Sequence, residues 1–461
     1  MNDKKETHIP DLSFRSALGR LDAANLLLKV ADEVDTDLEM TGVLFKQTER
    51  AMLFKNVRGY DTRVVGNFLG CEENVLAIYE HDVAGLRDYI GEGLANPIPP
   101  KHVDEGPVQA VYRNNPDLLE YLPLPRYAPN DGGRYISGGV VIAKDPDTGV
   151  NNASYHRFMH VEDNKLLIQL DLGRDLRALW ERAKEKGEEL PIAIVIGANV
   201  GLQYAAGMMG AQLPRDMDEY EVASGLSRKP LELIDCKTIP LQVPADAEFI
   251  MEGTISPDVE MEEGPFLEFV GLYSDVSPSP LTTINCIYHR EDPIWHVIMT
   301  KEAPILRKHV LEGAILKAVK ASAPCVTDVA LTPGGLYRFH LLISVNKRSA
   351  ADEGYQRNAI FAAIAALKDL DLVIVVDDDI NIHDWNDVEW ALATRWDAST
   401  GLITLPGARG HEYVSISDKG VRTKVGIDAS LPFGFAGRYE RVPVPPADLN
   451  KYTTTLEPGG L

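Results

Sequence analysis

The hydrophobic pattern of this chain changes period twice, and each change marks a change of architecture. Between about residues 115 and 300, apolar runs of strand length follow one another at 135–143, 153–159, 165–170, 192–196, 249–255, 281–288 and 294–299. Turn formers such as Asp145-Pro-Asp-Thr-Gly149 separate them, and one amphipathic helix at 174–186 interrupts them. Runs this short, bounded by Gly, Pro and Asp, predict a β-rich central domain, a barrel or a sandwich. Before it, Leu12, Leu18, Leu21, Leu26, Leu27 and Val30 recur near helical spacing, so residues 11–34 read as one helix. Residues 63–69 and 75–79 are short apolar runs, and 82–90 reads as a helix stopped by Gly91. Pro97, Pro99 and Pro100 mark a linker. After about 303 the pattern is α/β, with helices at 305–321, 356–367 and 387–394 and strands at 337–345 and 372–376. Beyond about 400 the chain is rich in Gly and Pro and reads as an irregular covering tail. With roughly 150 residues per domain, the boundaries fall at 1–114, 115–302 and 303–430, followed by a tail at 431–461.

Charge narrows the function. The 461 residues hold 69 Asp and Glu against 46 Lys and Arg, a net charge of −23. A general nucleic-acid binder needs a basic footprint, so no nucleic acid is expected, and no anionic lipid surface either. The stretch 190–214 has no charged residue and is long enough to span a bilayer. Its four glycines, Asn199 and Gln203 favour a buried strand with a glycine-rich loop, so no stable membrane insertion is expected. Cys71, Cys236, Cys286 and Cys325 form no CxxC pair, and the first residues have no apolar signal segment. A reducing, cytoplasmic setting fits.

Four segments carry possible chemistry. In Asn151-Asn-Ala-Ser-Tyr-His-Arg157, strand alternation would put Tyr155, Arg157 and Met159 on one face and His156, Phe158 and His160 on the other. An arginine among such residues needs an anionic partner or water. The i,i+4 spacing of His156 and His160 does not converge on a strand as it does on a helix. In Glu262-Glu-Gly-Pro-Phe-Leu-Glu268-Phe-Val-Gly271, two carboxylates flank a Gly-Pro turn, and each raises the proton affinity of the other. Asp216-Met-Asp-Glu219-Tyr-Glu221 reads first as an acidic helix N-terminus and second as a source of a hard-cation ligand. Asp377-Asp-Asp379 ends a β-branched run, but the chain has no GxxxxGK[ST] loop, so these acids read as turn caps or interface contacts. GxSxG, HExxH and GxGxxG motifs are absent as well.

Taken in order and spacing, four pieces resemble the UbiD-type decarboxylases, which use prenylated FMN. They are Asn152-Ala-Ser-Tyr-His-Arg157, Leu213-Pro-Arg-Asp-Met-Asp-Glu219-Tyr220, Glu263-Gly-Pro-Phe-Leu-Glu268 and the segment from Asp377-Asp-Asp-Ile-Asn to Ala-Thr-Arg395. The likeness runs from about residue 10 to residue 430.

The resemblance implies an α/β N-terminal domain, a central split β-barrel that binds the flavin and a C-terminal α/β oligomerisation domain. It implies a catalytic Glu-Arg-Glu network at Arg157, Glu263 and Glu268. Asn152 and Glu219 would hold a divalent metal, Mn2+ for preference with K+ as a further candidate, on the cofactor phosphate. Family members often add a histidine ligand, but here the region reads Leu167-Ile-Gln-Leu-Asp171-Leu-Gly-Arg174. Asp171 then stands as the third metal ligand, or Gln169 and Arg174 bind phosphate directly. Ser154, Tyr155, His156 and Met209 complete the expected cofactor contacts. His289, His296 and Arg307 are expected to meet substrate. The implied partners are a small carboxylic acid and CO2, a flavin prenyltransferase as cofactor supplier, and further copies of the chain in a homodimer or homohexamer. The expected reaction is reversible, non-oxidative decarboxylation of a small heteroaromatic acid, a furan or pyrrole carboxylate, with 2,5-furandicarboxylate as one candidate. A polyprenyl-hydroxybenzoate or other phenolic acid is the alternative substrate. A non-catalytic flavin-binding subunit, or a flavin oxidoreductase, is the alternative from another class.

Overall fold

The computed structural model describes residues 9–171, 173–208, 217–411, 420–435, 439 and 441–442. The fold is mixed α/β. At its centre lies a nine-stranded sheet built on the long hairpin Phe249–Glu263 and Ser277–His289. The hairpin pairs outward to Leu190–Ile196 on one side and to Lys165–Ile168 on the other. Strand pairing leaves this sheet open, not closed on itself.

The N-terminal segment departs from its expected helix. The helix covers only Phe14–Ala23, and Leu27–Val34 is a strand parallel to Ala51–Val57. Asn25, at φ 58°, turns the chain out of the helix, and pairing then overrides the helical spacing of the leucines. Gly91 does not stop its helix either. Val83–Ala95 runs through it, started by the Asp82 carboxylate, which accepts the Gly85 N–H at 2.7 Å. Ile294–Val297 leaves the central strands and runs parallel to Arg63–Gly66, completing a four-stranded N-terminal sheet.

The cores show which parts depend on each other. Phe14, Leu21, Ile78 and Tyr79 share one core with Ile142, Val195, Tyr204 and Tyr220, so the N-terminal helices pack directly on the central sheet. The C-terminal part has cores of its own, centred on Ile343, Ile360 and Val375 and on Ile374, Val376 and Val388. Its five-stranded sheet includes Leu402–Arg409 at the edge and Val421–Asp428 beside it, so the expected covering tail after residue 400 instead supplies two sheet strands. The uncharged stretch forms the buried strand Leu190–Ile196 and the helix Val200–Gly207. Among the described residues no helix is long and apolar enough to cross a membrane.

A 20-residue helix, Ala303–Ser322, joins the central and C-terminal parts. Lys308 and His309 on it are buried and both meet Glu72, at the start of the N-terminal helix Glu72–Tyr79. Burial pushes the Glu72 carboxyl up, but its bonds to His309 and Lys308 outweigh this and hold it at about 2. An ordinary unfolded glutamate ionises near ~4.3, so the ionised pair stabilises the fold above that pH and the benefit is lost as pH falls toward 2. Glu72→Gln is expected to lower stability at pH 7 by roughly 3 kcal/mol. It should also flatten the acid limb between about 4.3 and 2, which urea titration across pH would measure.

Candidate active site

Arg157 sits where a strand breaks. The segment expected to run continuously across 153–159 is two strands, Asn151–Tyr155 and Phe158–Glu162. The break cancels the expected alternation. Tyr155 points its hydroxyl to Gln203 Oε1 at 3.3 Å, whereas Arg157 turns to the end of the long hairpin. There Arg157 Nε and Nη2 donate to the two oxygens of Glu263, at 2.9 and 2.8 Å. Nη1 donates to Glu268, and Nη2 reaches Ser274 Oγ at 3.3 Å. Glu263 is fully buried, and the Arg157 and Glu268 side chains are only 11 and 12% exposed. A forked arginine–carboxylate pair in so dry a place fixes the guanidinium plane. The second, single bond to Glu268 is the one that can open without disturbing that plane.

The loop between the two glutamates is held from below. Phe266 packs on the rings of Tyr135 and Tyr127, 4.4 and 5.5 Å between centroids, and lies 5.1 Å from the Arg157 guanidinium. Asp131 ties this loop to the one at 127–133, accepting the N–H groups of Tyr127 and Ala128 on one oxygen and that of Leu267 on the other. Gly132 N–H donates to Pro265 O at 2.8 Å. A Cβ on Gly132 would stand 2.2 Å from Gly264 O, so the approach of the two backbones admits only glycine. Burial holds Glu268 toward its protonated form, above the ordinary carboxylate range. Arg157 opposes this, and Asp171 and Glu263 add to it.

A second cluster joins Asn152 and Glu219. Glu219 is the first residue of the helix Glu219–Ser227, which Asp218 caps. Glu219 accepts Ala153 N–H at 3.2 Å and Asn152 Nδ2 at 3.4 Å. Burial pushes its carboxyl up to about 8, against the two backbone N–H groups it accepts, and Asp218 and Asp175 add to the rise. A buried anion with so little compensation, beside an amide oxygen, is the donor set a hard cation takes. Ser154 Oγ lies 3.2 Å from Asn152 Oδ1 and 3.1 Å from His156 Nε2, and His156 Nδ1 donates to Gln169 O at 2.9 Å. Gln169 Oε1 accepts from Ser277 and Ser279 at 3.4 and 3.0 Å. Asn152, Ser154, His156 and Gln169 are therefore one hydrogen-bonded chain.

Other expected site residues fall elsewhere. Asp171 acts electrostatically on His156, Glu268 and Arg307. Among the described residues no three His, Cys, Asp or Glu gather into a metal-holding cluster, so any cation at Glu219 and Asn152 would draw on amide or other oxygens as well. His289 is a core group, bonded to Tyr121 OH and Arg290 O and packed on Phe249. His296 is 1% exposed and lies between the rings of Phe14 and Phe68, each 5.3 Å away. Neither histidine meets Arg157, so the substrate role expected of both is withdrawn. Arg307 feels the charge of Asp171, which also acts on Glu268. Burial and its neighbours Arg338 and Arg174 push it down to about 9, against Asp171 and Asp369. Met209 lies outside the described residues. Asp131, Tyr135 and Ser274 were not anticipated; the turn signal Asp131-Gly-Gly133 was the available hint.

Known proteins match this arrangement. The model of the 3-octaprenyl-4-hydroxybenzoate carboxy-lyase N-terminal domain matches residues 18–90, the Rift-related domain 101–303 and the C-terminal domain 306–429. Anhydromevalonate phosphate decarboxylase of Methanothermobacter thermautotrophicus is 35% identical over 419 residues, 90% of this chain and 96% of the relative. Gallate decarboxylase of Lactiplantibacillus plantarum is 29% identical over 461 residues, 91% of this chain and 94% of the relative. The solved UbiD-class enzyme HmfF from Pelotomaculum thermopropionicum, in complex with FMN, superposes with a TM-score of 0.90 at 36% identity, covering 95% of this chain and 99% of that one. Fold and site together define a carboxy-lyase. The chain belongs to the UbiD family of decarboxylases.

The Gly132 contact has a measurable consequence. Gly132→Ala is expected to displace the Glu263–Glu268 loop, costing about 1–3 kcal/mol of stability and most of the decarboxylase activity. Melting temperature and turnover of the purified variant check both.

Proposed function

We propose that this protein is a prenylated-FMN-dependent, reversible decarboxylase of a small heteroaromatic acid, a furan or pyrrole carboxylate, with 2,5-furandicarboxylate as the candidate that carries a second anion. The observation that carries the reading is Arg157, forked by Glu263 and singly bonded to Glu268 in a dry place, with Asp171 acting on both Glu268 and Arg307. The neighbour with bound FMN, and its evolved dimeric form with prFMN, support the cofactor. In this reading the open nine-stranded sheet serves as the split barrel that holds the flavin.

Prenylated FMN, when bound, supplies the electron sink that loss of CO2 from an sp2 carbon requires. Arg157 holds the reacting carboxylate by a charge-assisted bond. Glu263 keeps the guanidinium in plane and neutralises it. Glu268, whose burial favours the protonated form, swings from Arg157 Nη1 and delivers a proton to the carbon that lost CO2. Asn152 and Glu219 would hold a divalent cation, Mn2+ for preference, beside the cofactor phosphate. Gln169 and Arg174 would bind that phosphate directly, and K+ is a further candidate ion. A flavin prenyltransferase supplies the cofactor, and the C-terminal part assembles homo-oligomers.

A second substrate reading has its own support. Three relatives at 34 to 35% identity, each matched over 90% or more of this chain, are anhydromevalonate phosphate decarboxylases. A phosphorylated, unsaturated acid also presents a second anion to Arg307. Turnover of a panel containing furan dicarboxylate, pyrrole carboxylate, protocatechuate and a phosphorylated enoic acid, on protein co-expressed with a flavin prenyltransferase, decides between them. Arg307→Met should raise KM for the preferred acid by at least about tenfold. No turnover of any acid by protein shown by mass to carry the prenylated flavin would sink the enzyme reading.

The residue roles have their own tests. Glu268→Gln is expected to lower kcat by about 10²–10⁴-fold and to abolish solvent-deuterium exchange at the product carbon. Because Glu268 must be protonated to donate, wild-type activity should fall on the alkaline side, above the ordinary carboxylate range. Chelation of divalent ions should weaken FMN retention in the wild type and leave Glu219→Gln unaffected, as read by flavin absorbance after desalting.

A further inference from the structure

We infer that Phe339 and Arg338, on the C-terminal α/β part, are positioning residues for Glu268 and act through Phe269. The inference rests on the reading of Glu268 as the proton donor. Glu268 lies in a tight turn, its N–H donating to Leu272 O and its carbonyl accepting Gly271 N–H, both at 2.9 Å. One flank of that turn is pinned by Asp131 through Leu267 N–H at 3.0 Å. On the other flank the next residue, Phe269, leaves the central part altogether. Its ring stacks on Phe339 at 6.3 Å and 14°, and the His411 ring meets both edge-on at 5.6 and 5.8 Å. The Arg338 guanidinium lies 5.4 Å from the Phe269 ring centroid.

The C-terminal side of this contact is stiff. Arg338 Nε donates to Asp369 Oδ2 at 2.7 Å, and Asp369 is fully buried. Phe339 N–H donates to Gly335 O at 2.8 Å, and Phe339 O accepts the N–H groups of Asp371 and Leu372. Arg338 and Phe339 directly precede the strand His340–Val345, so they move with its sheet as one body. A face-to-face ring pair backed by a cation holds position and tilt, which a lone aliphatic contact does not. The turn that carries Glu268 is thus clasped between two separately packed parts of the molecule. Its proton-delivering side chain is in place only while Phe269 stays stacked on the C-terminal part. The groups facing Glu268 itself are Arg157, Glu263 and Asp171, and none of them is altered by changing Phe339.

The test compares Phe339→Ala with Phe339→Tyr. For Phe339→Ala, kcat should fall about tenfold to a hundredfold, the cost of roughly 1 Å of misplacement, while KM stays within about twofold. The alkaline limb should move to lower pH, because a loosened turn lets water reach Glu268 and its ionisation drops toward the ordinary range. Phe339→Tyr should behave as wild type. In cofactor-free protein, hydrogen exchange of the peptide spanning 266–274 should quicken in Phe339→Ala while the strand His340–Val345 keeps its protection. Phe269→Leu, at a half-buried position, provides the same comparison if Phe339→Ala does not fold. Wild-type kcat and pH profile in the alanine variant would overturn the inference, as would faster exchange in both segments. Full activity in Glu268→Gln would instead sink the proton-donor reading, whereas an inactive Glu268→Gln beside a normal Phe339→Ala sinks only the positioning role.

Discussion

Everything at the cleft follows from putting one guanidinium out of reach of bulk water. Arg157 is charged at any ordinary pH, and a buried charge must be compensated within hydrogen-bond distance or the fold fails. Glu263 supplies that compensation in full, with both oxygens and no exposure. The second carboxylate, Glu268, is therefore surplus to neutralisation. One cation shared by two acids leaves the less firmly bound acid in a medium that favours its proton. The same arrangement that satisfies a structural need produces a group able to give a proton away.

The surroundings are organised around keeping those two acids apart yet adjacent. Gly264 and Pro265 reverse the chain, Asp131 gathers three backbone N–H groups beneath it, and Phe266 fills the space between Tyr127 and Tyr135. Glu219 poses the converse problem, a buried carboxyl short of positive partners, whose burial favours its proton. Two sites with opposite deficits thus lie along one broken strand pair, beginning at Asn152 and ending at Arg157.

The sequence carried part of this. The strand-rich centre, the α/β C-terminal part and the family were legible from run lengths and four short motifs. The meeting of Arg157 with Glu263 and Glu268 was legible only through the resemblance, because alternation along 153–159 assumed an unbroken strand and the break at His156-Arg157 has no signature of its own. Leu26, Leu27 and Val30 fit a helix and a strand equally well, and pairing with Ala51–Val57 decided for the strand. His296 sits in Ile294-Trp-His-Val-Ile-Met299, and its wholly apolar company fits the core position it takes in place of the expected substrate contact. Asp131 and Phe339 act through distant partners, and no local pattern announces contacts between residues as far apart in sequence as Asp131 and Leu267 or Phe269 and Phe339.

The strand Ile294–Val297 returns to the edge of a sheet whose other members end by residue 66. During synthesis the edge formed by Arg63–Gly66 must wait for more than two hundred further residues before its neighbour exists. Until then it presents unpaired backbone groups, the feature that invites association with other nascent chains. Folding of the first part of the chain is therefore tied to completion of the central part, and a chain released before Val297 has an open sheet edge in place of a finished one.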